Sequence, residues 1–123
     1  MRDFFQEQLN ELKQELTIMG SSCEEIIALA SHALTNMDEE LVRKVAAIGA
    51  QIDESERTIE NICLKLLLRQ QPVARDLRQI SAAMKMITDM ERIGDQAEDI
   101  VEIVPYMNTH PDAKFPMIRE MAK

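Results

Sequence analysis

Phe5, Leu9, Leu12, Leu16, Met19, Cys23, Ile26, Ala30, Ala33 and Met37 succeed one another at steps of four and three without a break. A stripe of that period runs along one side of an α-helix, whereas a strand turns its side chains every two residues. This part of the chain therefore reads as one long amphipathic helix with a bundle-type seam. Gly20 falls inside the stripe, but the period continues through it, so one helix is expected, locally weakened there. Asp3 with Gln6 three residues later has the spacing of a capping box at its start.

Asn36 and Asp38 then punctuate the chain, and Asp38 is a good N-cap for a second helix. Leu41, Val45, Ile48, Ile52, Ser55, Ile59, Ile62 and Leu66 repeat the four-three steps, with Ser55 alone interrupting the apolar run. Pro72 disfavours helical geometry at Gln71 and is pre-set for the first turn of a new helix. Asp76 near that start complements the helix dipole. The third stripe begins with Leu77, Ile80, Met84 and Ile87, and Pro105 is expected to stop the helix that carries it.

The expected helices cover 3–36, 39–70 and 73–104. Each is about 45 Å long, and joined by short loops they make an all-α, antiparallel, up-down-up three-helix bundle. Residues 1–104 would form that unit, and 105–123 a linker and the start of a fourth helix, "FPMIREMAK". A lone amphipathic turn at that point suggests a piece of a longer chain, or a partner that supplies the rest.

Composition narrows the function classes. The 123 residues suffice for one core, and the near absence of aromatics, with only three glycines, suits helices better than sheets. A formal net charge of −8 argues against nucleic acid, which needs clustered Lys and Arg, and favours cations or basic partners. No apolar run approaches the ~20 residues of a membrane span, and "MRDFFQEQLNEL" lacks a secretory signal's apolar core, so the expected compartment is the cytoplasm, peripheral to the membrane at most. Cys23 and Cys63, without CxxC spacing, read as buried reduced thiols.

The third stripe raises the question of function. Its next positions are 91, 94 and 98, and they hold Glu91, Gly94 and Glu98. At about 100° per residue, Glu91, Asp95 and Glu98 fall within roughly 60° of one another, while Met90, Ile93, Ala97, Ile100 and Val104 carry packing onto an adjacent face. Asp53, Glu56 and Glu60 form a similar row on helix two. The hairpin sets Glu56 level with Ile87 and Asp53 with Met90, within about one turn of Glu91. Four converging carboxylates repel one another unless a cation compensates. Two compensations are open: a salt-bridged face, with Arg92 paired to Asp53 or Glu56 and Arg57 nearby, or a metal. Carboxylates at i and i+4 on bundle helices suit iron, manganese, magnesium or calcium. The candidate ligands are Glu91, Asp95, Asp53 and Glu56, with Glu98 and Asp99 at the margin.

"QQPVARDLRQISAAMKMITDMERIGDQAEDI", residues 70–100, resembles the PhoU family of bacterial phosphate-signalling regulators. The pattern is Gln71, Pro72, Ala74, Asp76, Leu77 and Arg78, and then Glu91, Arg92, Ile93, Gly94 and Asp95. Members of the family usually hold two three-helix repeats, each with acidic motifs for multinuclear iron or other metal clusters; this chain matches one repeat and the start of a second. The resemblance maps the motif onto Glu91 and Asp95, and the helix-two carboxylates onto Asp53 and Glu56, with iron expected first and manganese, magnesium or zinc as alternatives. Family members often carry an acidic residue one turn before Asp53, where this chain has Gly49, so the helix-two half is expected to be incomplete. The implied role is an accessory protein that represses the phosphate-starvation response, between the phosphate ABC transporter and a membrane sensor histidine kinase. Arg75, Asp76 and Arg78 are candidate partner contacts; equally, they balance charge at the start of helix three. A single repeat also implies a homo-oligomer, most simply a dimer.

An enzyme is not expected. Di-iron oxidases use Glu-x-x-His pairs, His32 and His110 fall elsewhere, and neither a nucleophile-plus-base constellation nor a glycine-rich phosphate loop occurs. The alternative to a metal-dependent regulator is a helical adaptor without metal.

Overall fold

A computed structural model of the chain describes residues 2–36, 38–69 and 73–109. Three helices, α1 (Arg2–Ala33), α2 (Glu39–Arg69) and α3 (Ala74–Thr109), pack each against the other two, and the described residues contain no strand. The three-helix bundle is the architecture that the periodicity demands. The "FPMIREMAK" segment and Met37 lie outside the described residues.

The second stripe holds in full. Leu41, Val45, Ile48, Ile52, Ser55, Ile59, Ile62 and Leu66 are all buried, and each fully buried Ile or Leu is worth about 1.5–3 kcal/mol. Ser55 lines a cleft with Ser22 across on α1, and both are buried. Asp38 caps α2 as expected, its Oδ1 accepting from the Leu41 amide at 2.7 Å. The first stripe is buried at Phe5, Leu9, Leu12, Met19, Cys23, Ile26, Ala30 and Ala33, with Leu16 packed against them. Gly20 does not break α1. Both cysteines are buried free thiols.

Four local expectations are corrected. Asp3 lies inside α1 rather than at the position that caps it, and Gln6 donates instead to Asn10 Oδ1 at 3.2 Å. Helix one ends at Ala33 rather than 36, because the turn tightens: the Leu34 and Thr35 amides bond three residues back, and the Thr35 hydroxyl donates to the His32 carbonyl at 3.0 Å. Helix three runs through Pro105 to Thr109. Proline gives up one backbone bond there, yet its fixed φ is itself near the helical value. The α3 seam is also rotated. Leu77 and Met84 are exposed, at 43% and 39%, while Ile80, Ala83, Ile87, Gly94, Ala97 and Val101 are buried and Met90 packs against them. Those positions keep the four-three steps, but with Ala83 in place of Met84.

Candidate metal centre

The rotated seam explains why a packing helix carries carboxylates at 91 and 98. Gly94 is the seam residue, whereas Glu91 and Glu98 are half-buried on its flank. A Cβ on Gly94 would sit 3.2 Å from Ile52 Cδ1, so the glycine lets α2 and α3 approach closely at this height. Asp53 comes directly after Ile52 on α2 and is half-buried against the same flank. One carboxylate oxygen from each of Asp53, Glu91 and Asp95 can be chosen so that all three lie within 4.8 Å of one another.

Glu91 is the most constrained member. Its Oε2 is buried and has no hydrogen-bond partner. Its pKa is raised to about 8, first by burial, then by a hydrogen bond to Asp53 available only to the protonated acid, and by negative charge on Asp53, Glu56 and Asp95. Glu56 lies close enough to feel Asp53 and Asp95; burial, Glu60 and these two push its pKa up against the opposing pull of Arg57, and it lies outside the tight trio. Glu98 is pushed up by burial, then by Asp53 and Asp95. Asp99 is exposed. Of the four carboxylates read from the sequence, three converge and the fourth stands beside them.

Arg57 offsets part of the charge at Glu56, but among the described residues no arginine pairs with the trio itself. Arg57 and Arg92 are exposed, and among the described residues no ion pair links either one to the cluster. A group of oxygens this close, with one buried and unpartnered, fits a hard cation. Glu98 is the feature that spacing undervalued. Gly49, one turn before Asp53, is buried, and the Glu98 carboxylate from α3 fills the space beside it. A glycine within an acidic helical row was the available signal.

The family model described as the PhoU domain matches residues 16–104. The chain belongs to the PhoU family. It is 37% identical over 110 residues to a phosphate-specific transport system accessory protein PhoU homolog of Synechocystis sp., covering 89% of this chain and 49% of that protein. Against the protein of the same description from Clostridium acetobutylicum, identity is 39% over 108 residues, covering 87% of this chain and 49% of the relative. For the Pseudomonas aeruginosa homolog it is 38% over 96 residues, covering 78% and 40%. The chain thus spans half or less of these PhoU relatives. No solved structure matches it.

The PhoU motif residues at the start of α3 behave unequally. Arg75 and Arg78 are exposed, whereas Asp76 is 2% exposed and so is not a partner-facing residue. Among the described residues, no helix is long and apolar enough to cross a membrane.

Proposed function

We propose that this chain is a metal-binding PhoU module that regulates phosphate uptake and the phosphate-starvation response, without catalysing a reaction. The observation that carries the metal half is the buried, unpartnered Oε2 of Glu91 beside Asp53 and Asp95. Asp53, Glu91 and Asp95 would hold the ion, with Glu56 at the edge of the site. A bound di- or trivalent cation, iron first and manganese next, would cancel the like-charge repulsion and tie α2 to α3. The phosphate half is supported by family membership and by relatives named as phosphate-specific transport system accessory proteins. The proposed partners are the phosphate ABC transporter and a sensor histidine kinase, met from the cytoplasm.

The module works as a homo-oligomer, most simply a dimer. Exposed Leu64, Leu67 and Leu68, the last at 76%, offer apolar surface for such an assembly. Sedimentation at micromolar concentration is expected to show a dimer, and a strictly monomeric species overturns that assembly.

Metal analysis of the purified chain tests the site. Stoichiometric iron or manganese is expected, lost in Glu91→Gln combined with Asp95→Asn while helicity stays intact. Full metal content in the double variant, or none in the parent after reconstitution, overturns it and leaves a metal-free adaptor. Deleting the gene in its source cell tests the role: phosphate-responsive transcription and uptake should change.

A further inference from the structure

Gly49 has no side chain to shield it, yet it is buried. Glu98 supplies the cover. A Cβ built on Gly49 would fall on Glu98 Oε1 and 2.7 Å from the carboxyl carbon. The α3 carboxylate thus occupies the volume that any side chain at position 49 would need. Glutamate has a long, flexible stem and could extend into water. Here it is laid into a notch instead, and Asp53 and Asp95 both act on its charge. Glu98 and Asp53 also line one cleft of about 270 Å³. Glu98 stands outside the tight trio, but its charge beside Asp53 and Asp95 meets repulsion, which a cation would reverse.

We propose that Glu98 is a further ligand of the ion held by Asp53, Glu91 and Asp95, delivered from α3 through the opening that Gly49 leaves in α2. This rests on the metal site proposed above. It means that the blank at position 49 is filled by the opposite helix, and that Gly49 acts as the doorway rather than as a defect. Gly49 and Glu98 then function as one unit. Any side chain at 49 evicts the carboxylate, and loss of the carboxylate makes the glycine unnecessary.

The test is a Mn(II) titration, read by calorimetry, of the parent chain, Glu98→Gln, Gly49→Ala and the double variant, with Glu91→Gln as the control that lacks a ligand of the trio. Since affinity tracks the number of charged ligands, Glu98→Gln is expected to weaken Mn(II) binding about tenfold or more. Gly49→Ala should weaken it similarly, because its Cβ displaces the far end of a flexible side chain. The double variant should bind no worse than the weaker single, the non-additivity of residues acting together. Melting temperatures without metal should not fall in any of them, which separates loss of a ligand from loss of fold. If Glu98→Gln and Gly49→Ala bind as the parent does while Glu91→Gln does not, the site stands and Glu98 is no part of it. If the parent binds no Mn(II) or Fe(II), the site and this inference fall together.

Discussion

The α2–α3 pair is closed in two different ways along its length. Towards the end of α2 and the start of α3, Ile59, Ile62, Leu66, Ile80 and Ile87 are buried in the common core. At the other end two of the buried positions are glycines, 49 and 94, and the flank is filled by Asp53, Glu91 and Glu98. The first half gains free energy from removing apolar surface from water. The second gives up part of that gain and accumulates like charge at close range. Such an arrangement persists where the surrounding core holds it in place, as is usual for sites that put recognition ahead of stability.

The contrast breaks most visibly in the apolar half. Ile59→Ala or Ile87→Ala should each destabilise the bundle by about 2–5 kcal/mol, since both side chains are almost wholly enclosed. Urea denaturation checks this.

A smaller effect, confined to the acidic half, is expected from pH. The Glu91 pKa of about 8 lies above its ordinary 4.5, so the folded metal-free protein holds this proton more tightly than the unfolded chain does. The stability it contributes is complete below pH 4.5 and is lost as pH rises through 8. Glu56 and Glu98, also raised, act in the same direction. One side of the cluster opens to solvent, which screens the repulsion, so the expected loss is about 1 kcal/mol, or roughly 4–8 °C in melting temperature. Glu91→Gln should remove most of the pH dependence, and an unchanged slope in that variant would dissociate it from the cluster.

The smallest effect sharpens the comparison through a glycine with no such role. A Cβ at Gly20 would meet nothing within 4 Å, so Gly20→Ala should stabilise the protein by about 0.5–1 kcal/mol through helix propensity alone. Its Mn(II) affinity should match the parent's, unlike that of Gly49→Ala.

These two halves are not equally legible in the sequence. The α2 seam and the Asp38 cap can be read because branched apolar residues at helical steps, and an aspartate just before them, each have one dominant physical meaning. Asp53, Glu91 and Asp95 can be brought together from the i, i+4 spacing and the hairpin. The α3 seam is misjudged because Ala83 carries little hydrophobic signal, while Leu77 and Met84 carry much and yet face outward. Seating Glu98 over Gly49 depends on the path of a long side chain between two helices, which no periodicity encodes. The passage of α3 through Pro105 is hidden for a related reason: proline weakens a helix locally, but the rest of the helix decides whether it continues.

The two cysteines happen to sample the two halves. The Cys23 thiol donates to the Met90 carbonyl at 3.5 Å and feels the charge of Glu91, whereas Cys63 lies near Ile59, Ile62 and Leu66 on α2. Burial, then a neighbouring carboxylate, pushes both thiols up, so neither reacts readily while enclosed. Each can be alkylated only when its surroundings part, and the rate then records how often they do. The molecule thus carries two built-in stopwatches for native-state breathing, one beside the carboxylates and one among the leucines and isoleucines. If ion capture fastens α2 to α3, the Cys23 stopwatch should slow far more than that of Cys63.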